Sequence, residues 1–196
     1  MQRLINEKIL AVPKLHLSKI PENTTLKKLI RYKDVYQQGI VNNRTRNGRI
    51  LTKTLSLVTE GRTVLIIVSQ IEHGHNLINT ANFLNPDLSE QMIFIYGDTD
   101  TKLRESVKAA LNLKKFKVVI TSLIWKEGVN IPTLGAVINA AGGKSELSTL
   151  QALGRGLRVA PGKEDIVFCD FFDNSHHYLI SHFGERLSLY FDLGWL

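Results

Sequence analysis

The chain has 196 residues, 43% hydrophobic and 22% charged, which is enough apolar material for one domain with a proper core and excludes a disordered chain. A formal charge of +7 favours polyanionic partners, nucleic acid being the commonest, although a modest basic excess also aids solubility. The single cysteine, Cys169, excludes a disulfide framework and suits a reducing compartment. No signal-peptide pattern opens the chain and no apolar run reaches bilayer-spanning length, so the expectation is a cytoplasmic protein with no membrane partner.

Taken in order, residues 1–13 read as a linker ending at Pro13, and residues 14–196 as one domain. KLHLSKI (14–20) alternates like a strand. TVLIIVS (63–69), QMIFIYG (91–97), KVVIT (117–121), AVINA (136–140) and DIVFCDF (165–171) are β-branched and mostly continuous. Continuous apolar runs suit strands covered on both faces. Between them the spacing predicts helices over 25–42, 45–60, 71–84, 100–114, 146–158 and 175–190. Strand and helix in alternation predict an α/β fold: an open, mainly parallel sheet with helices on both faces.

In such sheets, ligands gather beyond the carboxyl ends of the strands. Four stretches fall there: SQIEHGH (69–75), YGDTDTK (96–102), TSLIWKEGVNIP (121–132) and AAGGKS (140–145). Exposed backbone N–H groups in small-residue turns of this kind can hold an anion.

One further segment departs from ordinary helix composition. In QALGRGLR, residues 151–158, two glycines each cost about 1 kcal/mol against alanine in a helix interior. Gln151, Arg155 and Arg158 share one stripe, Leu150, Leu153 and Leu157 the next. No acid stands four residues from either arginine within 151–162. A solvated basic face with glycines as packing notches would look like this. So would two guanidinium forks aimed at phosphoryl oxygens, with the glycines admitting a close approach.

The chain has no phosphate cradle of its own. A P-loop needs glycine five residues before its Gly-Lys-Ser/Thr, but Ile138 stands five before Gly143-Lys144-Ser145. Asp170 has Phe171 after it rather than a second acid, which favours a strand-end residue over a magnesium ligand. His73 with His75, and His176 with His177, lack further ligands at metal-site spacing; they read as surface or capping residues, and no metal site is expected.

These segments resemble superfamily 2 helicases of the DEAD/DEAH type. QALGRGLR matches their motif VI, Q-x-x-G-R-x-x-R, and VVITSLIWKEGVNIP (118–132) looks like motif V. TVLIIVSQIEHGHNL (63–77) is similar to motif IV, and YGDTDTKLRESV (96–107) to the segment after it. The order is that of the second, carboxyl-terminal RecA-like domain. YKDVYQQGIVNNRTRNGRI (32–50) is similar to the matching stretch of phage and bacterial members, which favours DNA over RNA.

The resemblance implies half of an active site in an ATP-dependent DNA helicase. Arg155 and Arg158 would be arginine fingers and Gln151 would help order ATP or water, with Gly128 and Asn130 near the ribose and phosphates. Asn130 stands where many relatives carry Asp. Ser69, Gln70, Gly97, Thr121 and Ser122, with Arg104, Lys144 and Ser145, would contact the sugar-phosphate chain. ATP with Mg2+ would be bound mainly by an amino-terminal P-loop domain, joined in cis or trans, and the chain alone would not hydrolyse ATP. A non-catalytic nucleic-acid-binding module, the equivalent domain of an RNA helicase, and a small-molecule enzyme built on Asp170 and a histidine are the competing readings.

Overall fold

The computed structural model describes residues 12–96, 109, 116–122, 134–144 and 165–196. Its strands are β1 (Val12–Ile20), β2 (Thr63–Val68), β3 (Met92–Ile95), β4 (Val118–Ser122), β5 (Leu134–Asn139) and β6 (Asp165–Asp173). They form one sheet in the order β1-β6-β5-β2-β4-β3, with every neighbouring pair parallel. The expected α/β architecture is therefore found. β1 takes in Val12 and Pro13, two residues read above as linker, because it pairs with β6 from Val12↔Asp165 onward.

Side-chain alternation in the central strands feeds two cores. Val64, Ile66 and Val68 of β2 face one layer; Leu65 and Ile67 face the other. The first layer is covered by α2 (Arg44–Thr59) and α3 (Ile71–Leu84), through Ile50, Leu51, Leu57, Leu77 and Ala81, with Leu88 of the short α4 (Pro86–Glu90). The second is covered by α5 (His177–Asp192) and the residues after it, through Leu189, Tyr190 and Trp195. Each such side chain contributes roughly 1.5–3 kcal/mol when fully buried, so the sheet is the main source of stability. Where β5 joins β2, Thr63 faces Leu134 but Val64 faces Ala136, leaving Gly135 as a bulge against Arg62.

The continuous helix expected over 25–42 is broken. A 3-10 turn at Thr24–Lys28, capped by Asn23, ends in extended backbone at Leu29. α1 (Tyr32–Tyr36) then widens into a π turn at Gln37–Val41. Tertiary packing explains the break. Leu26, Val35, Tyr36, Ile40 and Val41 close a small separate core with Leu179 of α5. The Leu29 carbonyl accepts from His176 Nε2 at 3.2 Å, a contact a straight helix could not make.

The two longest helices flanking the sheet, α2 and α5, are each followed within two residues by a glycine of positive φ, Gly61 and Gly194. After α2, Gly61 adopts φ +80° and Arg62 N–H donates back to Leu57 O at 3.0 Å. This left-handed stop aims the chain directly into β2.

Candidate nucleic-acid and nucleotide interface

The parallel registers bring three strand ends to one edge. Val68 of β2 lies opposite Ser122 of β4, and Ile67 lies opposite both Thr121 and Asn139. β2 is also where the chain changes direction across the sheet: β4 and β3 lie to one side, β5, β6 and β1 to the other. Such a switch point is the usual ligand crevice of an open parallel sheet.

Ser69 and Gln70 follow β2 at this edge, and Gln70 is the first residue of the α3 cap. Thr121 and Ser122 are the last residues of β4 and are only 2% and 5% exposed. Thr121 Oγ1 donates to Ser122 O at 3.0 Å, whereas the buried Ser122 hydroxyl has no hydrogen-bond partner among the described residues. Lys144 is exposed beyond β5, with Nζ 3.6 Å from Glu185 Oε1. Ser69, Gln70, Thr121 and Ser122 thus belong to the same edge, whereas Lys144 lies five residues past β5 beside Glu185 of α5. Gly97, Arg104, Gly128, Asn130, Ser145, Gln151, Arg155 and Arg158 lie outside the described residues.

Beneath the edge is a buried ionic network. Asp170 lies inside β6, not at its end, and is fully buried. It accepts from Arg186 Nε at 2.8 Å, Tyr190 Oη at 2.7 Å, Asn139 Nδ2 at 3.3 Å and its neighbour Phe171 N–H at 2.7 Å. A carboxylate so occupied is structural, which removes the small-molecule reading built on Asp170. Burial opposes the charge on Arg186, but Asp170 beside it more than compensates and holds the guanidinium pKa above its ordinary value. Burial, with Asp170 next to it, likewise pushes the Tyr190 hydroxyl upward.

Three residues further on, Asp173 projects to the opposite face and accepts from Arg46 Nε at 3.2 Å. Burial raises its pKa despite that partner.

The histidines divide. His176 is the N-cap of α5, its Nδ1 accepting from Tyr178 N–H at 3.3 Å, a capping role as expected. His73 is neither surface nor cap but wholly buried, with Nε2 3.0 Å from Asn47 Oδ1. Burial, then Arg46 nearby, holds it down to about 3, a neutral ring tying α3 to α2. Among the described residues no cluster of three or more His, Cys, Asp or Glu could hold a metal ion, and no helix is long and apolar enough to cross a membrane.

Sequence reasoning missed Arg46, Arg186 and Asp173. A signal was present: Arg186 interrupts the stripe Leu179, Arg186, Tyr190, and Arg46 precedes Ile50 and Leu57 on another. A lone cation on an apolar helical stripe implies a buried carboxylate opposite.

Comparison with known proteins agrees with this architecture. The helicase conserved C-terminal domain family matches residues 47–160. The chain belongs to that family, as the second RecA-like domain of a superfamily 2 helicase. Among its relatives is the ATP-dependent DNA helicase uvsW of Enterobacteria phage T4, 22% identical over 163 residues, covering 75% of this chain and 32% of that one. The crystal structure of T4 UvsW superposes with a TM-score of 0.71 at 20% identity, over 94% of this chain and 40% of UvsW. The C-terminal domain of the DEAD-box protein Dbp5 gives 0.61 at 16% identity, over 95% of this chain and 87% of the Dbp5 domain. S. cerevisiae Dbp5 is also solved bound to RNA and ADP BeF3, with a TM-score of 0.61 over 98% of this chain and 42% of that one. The chain spans 18–32% of the length of the curated relatives it matches.

Proposed function

We propose that this chain is the carboxyl-terminal motor domain of an ATP-dependent DNA helicase or translocase, working in the cytoplasm against an amino-terminal P-loop domain. The observation that carries the proposal is the shared edge. Ser69, Gln70, Thr121 and Ser122 stand at the ends of β2 and β4 around the switch point, and the segment that resembles motif V begins in β4.

In this reading Arg155 and Arg158 would serve the γ-phosphate as arginine fingers, and Gln151 would help order ATP or the attacking water. Gly128 and Asn130 would lie near the ribose and phosphates and connect that site to the strand-binding surface. Ser69, Gln70, Gly97, Thr121 and Ser122, with Arg104, Lys144 and Ser145, grip the sugar-phosphate chain; such contacts supply affinity and salt dependence without reading sequence. When bound, ATP with Mg2+ supplies the phosphoryl-transfer chemistry, mainly on the P-loop domain. The arginines gain phosphate partners only when the domains close, so nucleotide state biases closure. Alternation between two grips on the strand then becomes movement. The kinship with uvsW, named for DNA, supports DNA as the track.

The test joins the chain to a P-loop domain and measures nucleic-acid-stimulated ATP hydrolysis. The chain alone is expected to be inactive. In the assembly, Arg155→Ala is expected to cut turnover on the order of 10³-fold with the fold intact. Unchanged turnover, with altered binding only, would instead make the chain a non-catalytic binding module. Stimulation by RNA but not DNA would overturn the choice of track.

A further inference from the structure

The turn that follows β5 is held by its carbonyl groups, one after another. Ala140 O accepts from Arg46 Nη1 at 2.6 Å, and Ala141 O from the Tyr36 hydroxyl at 2.6 Å. Gly142 O and Gly143 O both accept from Arg186 Nη1, at 2.7 and 3.3 Å. Four consecutive carbonyls therefore end on three side chains that are nearly or wholly buried. The donors come from both helical layers: Tyr36 and Arg46 from the amino-terminal helices, Arg186 from α5.

Each arginine is anchored at its other end to β6. Asp173 and Asp170 point to opposite faces of that strand, and each takes the Nε of one arginine. Two guanidinium groups thus run from opposite sides of the sheet to the same turn. The turn has also given up side-chain bulk to receive them. Gly142 sits at φ +68°, and a Cβ there would meet Arg46 Nη2 at 3.1 Å and Ile40 Cδ1 at 2.9 Å. Burying two cation–carboxylate pairs is an expensive way to stabilise a fold, since apolar side chains of similar volume do as well or better. What these pairs add is a fixed direction for the backbone they grip.

We propose that Tyr36, Arg46 and Arg186 are positioning residues, which through the Ala140–Gly143 carbonyls set the course of the chain as it leaves the sheet past Lys144 towards QALGRGLR. The inference rests on the arginine-finger reading above: misplacing reacting groups by about 1 Å can cost on the order of 10²-fold in rate. The clamp ties the Ala140–Gly143 turn to both helical layers at once.

Two readouts test this. In the 196-residue chain, trypsin cleavage after Lys144 reports the turn itself. Tyr36→Phe removes one hydroxyl and leaves both ion pairs; it is expected to speed that cleavage about fivefold to tenfold, with the Tm and cleavage after exposed Lys28 little changed. In the assembly with a P-loop domain, Tyr36→Phe is expected to lower kcat about tenfold at unchanged KM for ATP. Arg186→Lys, which keeps a charge for Asp170 but loses the fork, is expected to lower it further. Cleavage and kcat at wild-type levels in Tyr36→Phe would overturn the inference, as would faster cleavage after Lys28 and Lys144 alike. If Arg155→Ala keeps full turnover, the finger reading itself fails, a result distinguishable from failure of the clamp.

Discussion

Arg186 and Asp170 meet beneath the carboxyl edge of the sheet, Nε to Oδ2 at 2.8 Å, with side chains 1% and 0% exposed. The pair links the last helix to the last strand. Tyr190, one helical turn beyond Arg186, donates to the same Asp170 oxygen at 2.7 Å.

Breaking that pair from one side leaves a buried charge without a counterion. Asp170→Ala is therefore expected to destabilise the fold by about 3–5 kcal/mol in urea denaturation. Asp170→Leu combined with Arg186→Met removes both charges and is expected to recover much of that loss. Equal losses in the single and double variants would show that the pair has no special cost when broken.

His73 gives stability a pH dependence of known sign. Its folded-state pKa is about 3, against 6.5 for an unperturbed histidine, so below pH 6.5 the unfolded chain takes up a proton that the native ring refuses. The His73 contribution is thus constant above that value and declines as pH falls, by up to about 1.4 kcal/mol per pH unit. His73→Gln, whose amide can still donate to Asn47 Oδ1, is expected to flatten the decline between about pH 6.5 and 5, where few carboxylates titrate. A Tm profile that is unchanged in this variant would refute the assignment.

Two helical glycines make opposite predictions. Gly48 lies within α2 with open space where a Cβ would go, so Gly48→Ala should stabilise by about 0.5–1 kcal/mol. Gly74 in α3 lies against Phe94, whose Cζ would be 2.2 Å from a Cβ. Gly74→Ala should destabilise by about 1–3 kcal/mol, and pairing it with Phe94→Leu should relieve most of the cost. Thermal unfolding of the three variants decides both.

Lys144 is 58% exposed and its contact with Glu185 is long, which leaves its charge available to a phosphate. Lys144→Gln should weaken single-stranded DNA binding regardless of sequence and shallow the salt slope by about one. Glu185→Gln should shift affinity the other way. A titration at salt concentrations between about 50 and 200 mM checks both, and an unaltered slope in Lys144→Gln would remove this residue from the interface.

How much of this could be read from the chain depended on how local the cause was. Apolar runs such as TVLIIV and DIVFCDF mark the strands, because a strand buried on both faces needs apolar residues at every position. α2 and α3 were legible from spacing to within a residue of their ends. The helix expected over 25–42 was not, because its break is imposed by Leu179 and His176, which lie about 150 residues away along the chain. The partners of Asp170 were equally hidden: the strand shows one acid, and nothing nearby shows that Arg186 folds onto it.

The pattern of residue types along the chain was sufficient for fold class, strand positions, the lack of a P-loop and the helicase motifs, since periodicity, run length and motif spacing are properties of neighbouring residues. Only the folded chain decided the strand order, the neutral state of His73, and the gathering of Tyr36, Arg46 and Arg186 on one turn. Those depend on which distant segments share a low-dielectric interior, where an unpaired charge or carbonyl must find a partner wherever along the chain it lies.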